Sequence, residues 1–167
     1  MDAINQINAG DTAWVLVSAA LVLLMTPALG FFYGGMVRRK NILGILMQCM
    51  ACLALLSLLW GIYGYSLAFA PGNWLFGGFD WVMLKGVGSA PNADYAATIP
   101  HSAFMIFQCM FAVITPAIIV GSYAERVKFS AFLIFTVLWF TFVYCPMAHM
   151  AWGVDGLFRQ WGILDFA

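Results

Sequence analysis

The chain has 167 residues, of which 8% are charged and 64% hydrophobic, with zero formal net charge and a mean hydropathy of +0.93. A soluble domain carries roughly a quarter charged residues, so water is excluded as the solvent for most of this surface and lipid is the partner implied. The longest basic run, Arg38-Arg39-Lys40, is too short to suggest nucleic acid. No nucleophile with its base, phosphate loop or metal cluster points to an enzyme or a cofactor.

Met1 to Gly10 is polar and lacks a basic stretch before a short apolar core, so no cleaved signal peptide is expected. Four apolar stretches then meet the roughly 20 residues needed to cross about 30 Å of hydrocarbon as a helix. They run over approximately 12–35, 42–70, 100–121 and 129–151. Strands would alternate in polarity and require closure into a barrel, so the fold class is all-α, a polytopic transmembrane helical bundle.

Within the first stretch Gly30 and Gly34 form a G-x-x-x-G, read as a helix-packing device. The second is longer than a bilayer requires and ends near Tyr63 and Tyr65, rings that suit an interface. Residues 71–99 are rich in Gly, Pro, Asn and Asp, and with Trp74 and Trp81 they read as an external loop lying over the membrane surface. Arg38, Arg39, Lys40, Arg126 and Lys128 follow the first and third stretches, against Lys85 and Arg159 on the other side, which predicts an external N-terminus. Residues 153–162 read as a short external loop and 163–167 as the opening of a fifth apolar helix, so the chain reads as a fragment.

Cys49, Cys52, Cys109 and Cys145 all lie in apolar runs and read as small hydrophobes; the lone C-x-x-C at Cys49 and Cys52 lacks the second pair that a metal site would need. The third stretch aligns Phe104, Phe107, Gln108, Phe111 and Thr115 on one helical face. Lipid cannot satisfy the Gln108 amide, so this face is expected to point into the bundle or a wet cavity. Pro116 on the same helix removes one backbone hydrogen bond.

Trp152, near the end of the fourth stretch, reads first as an interfacial anchor. If it converges with Phe107, the two π faces could hold a small cation at about 0.5–2 kcal/mol per ring. His149 and His101 read as hydrogen-bonded structural residues rather than ligands. Asp165 reads as a helix N-cap, and an ionised carboxylate there would also lower the cost of bringing a cation to the membrane.

Six strings together resemble the N-terminal part of the ammonium transporter family, the Amt, Mep and Rh proteins, and are most similar to bacterial Amt channels. They are Pro27 to Asn41 (PALGFFYGGMVRRKN), Tyr63 to Phe69 (YGYSLAF), Phe107-Gln108, Ala124-Glu125-Arg126, Ala148 to Trp152 (AHMAW) and Leu164 to Ala167 (LDFA). Residues 71–99 are the least family-like.

The resemblance implies the first half of an eleven-helix fold, with two inverted halves around a pore in each subunit of a homotrimer. It also implies a multi-pass protein of the cell (inner) membrane with ammonium or ammonia as substrate. By the same resemblance Phe107 and Trp152 are walls of an outer ammonium site, Phe111 is one ring of a gate beneath it, Gln108 lines the region and Asp165 supports it. A cytoplasmic regulatory trimer of the GlnK type is a possible partner. The alternative reading is an ammonium sensor coupled to a cytoplasmic signalling module.

Overall fold

The computed structural model describes residues 7–165, and all regular elements within them are helical apart from two isolated bridges. The first helix, α1 (Ala9–Met36), begins where Asn8 accepts hydrogen bonds from the backbone N–H groups of Gly10 and Asp11 at 2.8 and 3.1 Å. These are donors that the first helical turn cannot satisfy internally. Its buried residues, Ala19, Thr26, Gly30 and Gly34, lie on one face, and its remaining surface is largely apolar and exposed.

A Cβ on Gly30 would lie 3.2 Å from Leu46 Cδ2 and 3.4 Å from Cys49 Cβ, so the glycine pair sits where the second helix crosses. On its other flank α1 meets the third span, where Tyr33 donates its hydroxyl to the Ile118 carbonyl at 2.8 Å.

A short 3₁₀ turn (Arg39–Asn41) leads into α2 (Ile42–Leu59), which continues without interruption through a π turn (Trp60–Gly64) into α3 (Tyr65–Phe69). The third span is α4 (His101–Tyr123), a continuous helix that accommodates Pro116. The fourth joins α5 (Phe129–Trp139), a second π turn (Phe140–Tyr144) and α6 (Cys145–Trp152), followed by the short α7 (Leu157–Gln160). These four units are long and apolar enough to cross a membrane.

The two π turns face one another. Each adds a residue to its helical turn and so shifts the face that the following segment presents. Tyr63 and Thr141 share a hydroxyl hydrogen bond of 2.7 Å across them, and Phe140 packs on Gly64. The core behind this contact holds Trp60, Tyr65, Phe69, Phe132 and Phe140, all essentially inaccessible.

Tyr65 thereby departs from the interfacial position expected of it. It is buried and hydrogen-bonded to His101 Nε2 at 2.6 Å. Trp81, expected to lie on the membrane surface, turns inward to stack on Tyr65 at 5.5 Å, while Trp74 is exposed. Residues 163–165 carry no helix, and 166–167, where a fifth helix was expected to continue, lie outside the described residues.

Candidate functional site

The face predicted on α4 divides in two. Phe104 packs inward against Phe69 and Tyr95, each at 5.4 Å between ring centroids. Phe107, Gln108, Phe111 and Thr115 instead line a pocket of about 450 Å³, closed on other sides by Met25 of α1 and by Trp152 and Asp165. Phe107 and Phe111 meet edge to face at 5.1 Å, an arrangement that satisfies the opposed charges of ring edge and ring face. Gln108 therefore points into a cavity, as its polarity requires.

Trp152 occupies the last turn of α6 and is held on three sides. Phe69 stacks parallel to it at 6.2 Å with only 11° between the rings. Its indole N–H donates to Asp165 Oδ2 at 2.6 Å, a charge-assisted bond when the carboxylate is ionised. Its carbonyl accepts from the Arg159 guanidinium at 2.9 Å. A tryptophan serving only as an interfacial anchor has no need of such constraint. Asp165, read from sequence as a helix cap, reaches across thirteen residues to set the orientation of this ring.

The support beneath Phe69 comes from residues that carried no signal in the sequence. Tyr95, in the loop between α3 and α4, donates its hydroxyl to the Phe69 carbonyl at 2.6 Å and accepts from the Val154 N–H at 3.2 Å. Arg159 lies over the same ring at 5.8 Å, within cation–π range. Burial pushes the Tyr95 hydroxyl up to about 12, against the lowering effects of the Val154 N–H and Arg159. The phenol therefore stays protonated and able to donate. The motif around Tyr95 is polar and loop-like, and only the fold reveals that it props the site.

Both histidines act as struts. His149 is fully buried, with Nδ1 3.1 Å from the Ala68 carbonyl oxygen and Nε2 2.7 Å from that of Asn73, tying α6 to α3 and the loop after it. His101 holds Tyr65 and packs edge-on against Trp81 at 4.8 Å.

Four helical units long and apolar enough to cross a membrane, three of which line this ring-walled pocket beside the Asp165 carboxylate, define a polytopic helical membrane protein. The chain belongs to the Ammonium Transporter Family, whose sequence profile matches residues 13–167. It is 54% identical over 158 residues to the ammonium transporter of Bacillus subtilis, covering 95% of this chain and 39% of that protein.

The structure superposes on Candida albicans Mep2 with a TM-score of 0.89 at 33% identity, covering 100% of this chain and 36% of that one. It shares its fold with a Sensor Amt Protein at a TM-score of 0.83 and 24% identity, covering 93% and 38% of the two chains. The chain thus spans about two-fifths of the length of the relatives it matches.

Proposed function

We propose that this chain forms the recruitment end of a pathway that carries ammonium across a membrane as ammonia. The observation that carries the reading is the Trp152 indole, backed by Phe69, hydrogen-bonded to Asp165 and sharing one pocket with Phe107, Gln108 and Phe111. Two ring faces attract a monovalent cation, and donation of the indole N–H to a carboxylate enriches the π system that the cation meets. Asp165 adds negative potential near the pocket and so offsets part of the cost of removing ammonium from water.

Phe107 and Trp152 are the recognition walls, Gln108 is a polar lining group, and Phe111 is the gate ring next inward. A hydrophobic pore opposes the ion far more than the neutral base. Ammonium therefore passes its proton to water on the outer side of the gate, and ammonia crosses. Potassium, which has no proton to lose, is rejected without a ring of carbonyls. The basic loops at 37–41 and 124–128 would face the cytoplasm, leaving the N-terminus outside the cell membrane. The homotrimer and the GlnK-type partner are further parts of this proposal that rest on family membership.

The test is uptake by cells in which the natural protein carries Trp152→Leu, with Asp165→Asn alongside. Uptake at limiting ammonium is expected to fall about tenfold or more for Trp152→Leu, equivalent to losing roughly 1.4 kcal/mol of recognition, and to recover partly at high ammonium. Unchanged uptake at limiting ammonium would remove Trp152 from the site.

A further inference from the structure

Trp152 is tied at two points to the segment that follows it. Asp165 takes its indole N–H, and Arg159 on α7 donates to its carbonyl at 2.9 Å. Trp152 is the last residue of α6, where the final carbonyls of a helix have no partner within it, and a cation there also complements the helix dipole. The bond to the indole fixes how the ring is turned. The bond to the carbonyl fixes the stretch of main chain that carries it.

The same guanidinium reaches the support of the neighbouring ring. Its other terminal nitrogen makes a longer contact of 3.4 Å with the Asp94 carbonyl, and its central carbon lies 5.8 Å from the centre of the Tyr95 ring. Tyr95 in turn donates to the Phe69 carbonyl at 2.6 Å. Phe69 and Trp152 are the pair stacked at 6.2 Å. One side chain is therefore bonded to the main chain of one ring and packed on the prop of the other. An exposed arginine that meets a lone carboxylate contributes little, whereas the planar fork of Arg159 serves two carbonyls and a ring face together. A lysine ammonium, a point charge on a flexible stem, cannot reproduce that set.

We propose that Arg159 is a positioning residue of the cation site, holding Trp152 in register with Phe69 and so setting the affinity for ammonium without touching the ion. The role rests on the reading of Trp152 as a recognition wall. Attraction of a cation to a ring requires the ion over the ring face within about 6 Å of its centre, so an indole released from its register loses recognition. The gate at Phe111 has no contact with this clamp. Loss of Arg159 should accordingly act on KM and spare the maximal rate.

The experiment is the concentration dependence of ammonium uptake by cells making the natural protein with Arg159→Met, Arg159→Lys or Gln160→Ala, with flux expressed per folded molecule in the membrane. Arg159→Met is expected to raise KM about fivefold and to leave maximal flux within about twofold. Arg159→Lys keeps the charge but not the fork, and KM should remain raised by at least about twofold. Gln160→Ala removes only a 2.9 Å bond to the Asp155 carbonyl in the same segment, and KM should not change. In a Trp152→Leu background Arg159→Met should add less than about twofold, because the ring it positions is gone.

An unchanged or lowered KM in Arg159→Met, full recovery in Arg159→Lys, an equal rise in Gln160→Ala, or a full Arg159→Met effect without the indole would each overturn the proposal, even with Trp152→Leu itself impaired. Normal uptake by Trp152→Leu at limiting ammonium would instead overturn the recognition wall, and the positioning role with it.

Discussion

Gly64 lies against Phe140 at the contact between the two π turns, and a Cβ at that position would be driven into the ring at Cζ and Cε1. The glycine is required by that close approach, since the ring is fully buried and packed against Trp60 and Tyr144 as well. Gly64→Ala is therefore expected to destabilise the protein by about 1–3 kcal/mol, the usual cost of overpacking a filled core. Thermal unfolding in detergent measures it. Adding Phe140→Leu should recover part of the loss, and a second substitution that only worsened stability would show that the ring is not the obstacle.

Tyr95 sets a second expectation, with a pH signature. Tyr95→Phe removes one donor to Phe69 and one acceptor from Val154, costing about 1–2 kcal/mol. The folded state holds the phenol neutral by raising it from 10.0 to about 12. Its stabilising contribution is consequently whole below pH 10.0 and is lost as the pH climbs through about 12. Denaturation of the native protein and of Tyr95→Phe should differ most at neutral pH and converge across that alkaline window. A constant difference across it would separate the hydroxyl from the effect.

The two basic loops are joined at Glu125, whose backbone adopts a left-handed conformation with φ 65°, a conformation unfavourable to a side chain of this kind. Its carboxylate accepts from Asn41, from the Arg38 N–H and from the Arg38 guanidinium. Those hydrogen bonds, Asn41 first, hold it below the ordinary value of 4.5. The tie is thus complete above that value and is lost as the pH falls through the lowered one. Protection against hydrogen exchange at residues 124–128, corrected for the intrinsic exchange rate at each pH, should fall on acidification in the native protein. In Glu125→Gln it should already be low at neutral pH and change little with acid.

Phe111 meets Phe107, the proposed recognition wall, edge to face but lies one helical turn further along α4. Phe111→Ala is expected to leave the concentration dependence of uptake within about twofold while changing maximal flux or ion selectivity by more than about tenfold. Transport assays with ammonium, methylammonium and potassium separate the two effects. Flux and selectivity both unchanged would show that Phe111 is no gate.

Sequence alone determined that the protein is an α-helical membrane protein with four apolar crossings. Burying backbone polar groups in hydrocarbon permits few solutions, and apolar length is written directly in the order of residues. It also marked Gln108, because an amide on an otherwise apolar helix has to find a polar partner or a cavity. The glycine pair on α1 was legible for a similar reason, since a missing side chain permits a close crossing.

Tertiary structure decided the rest. That Phe104 leaves the aromatic stripe while Phe107 and Phe111 remain at the pocket depends on what Phe69 and Tyr95 offer across the bundle. The inward turns of Tyr65 and Trp81 depend on His101 and on two π turns that no local pattern specified. Asp165 orients Trp152 through a bond spanning thirteen residues, and Tyr95 reaches Phe69 from a loop. Such contacts are set by three-dimensional convergence, for which residue type and spacing along the chain carry no local signal.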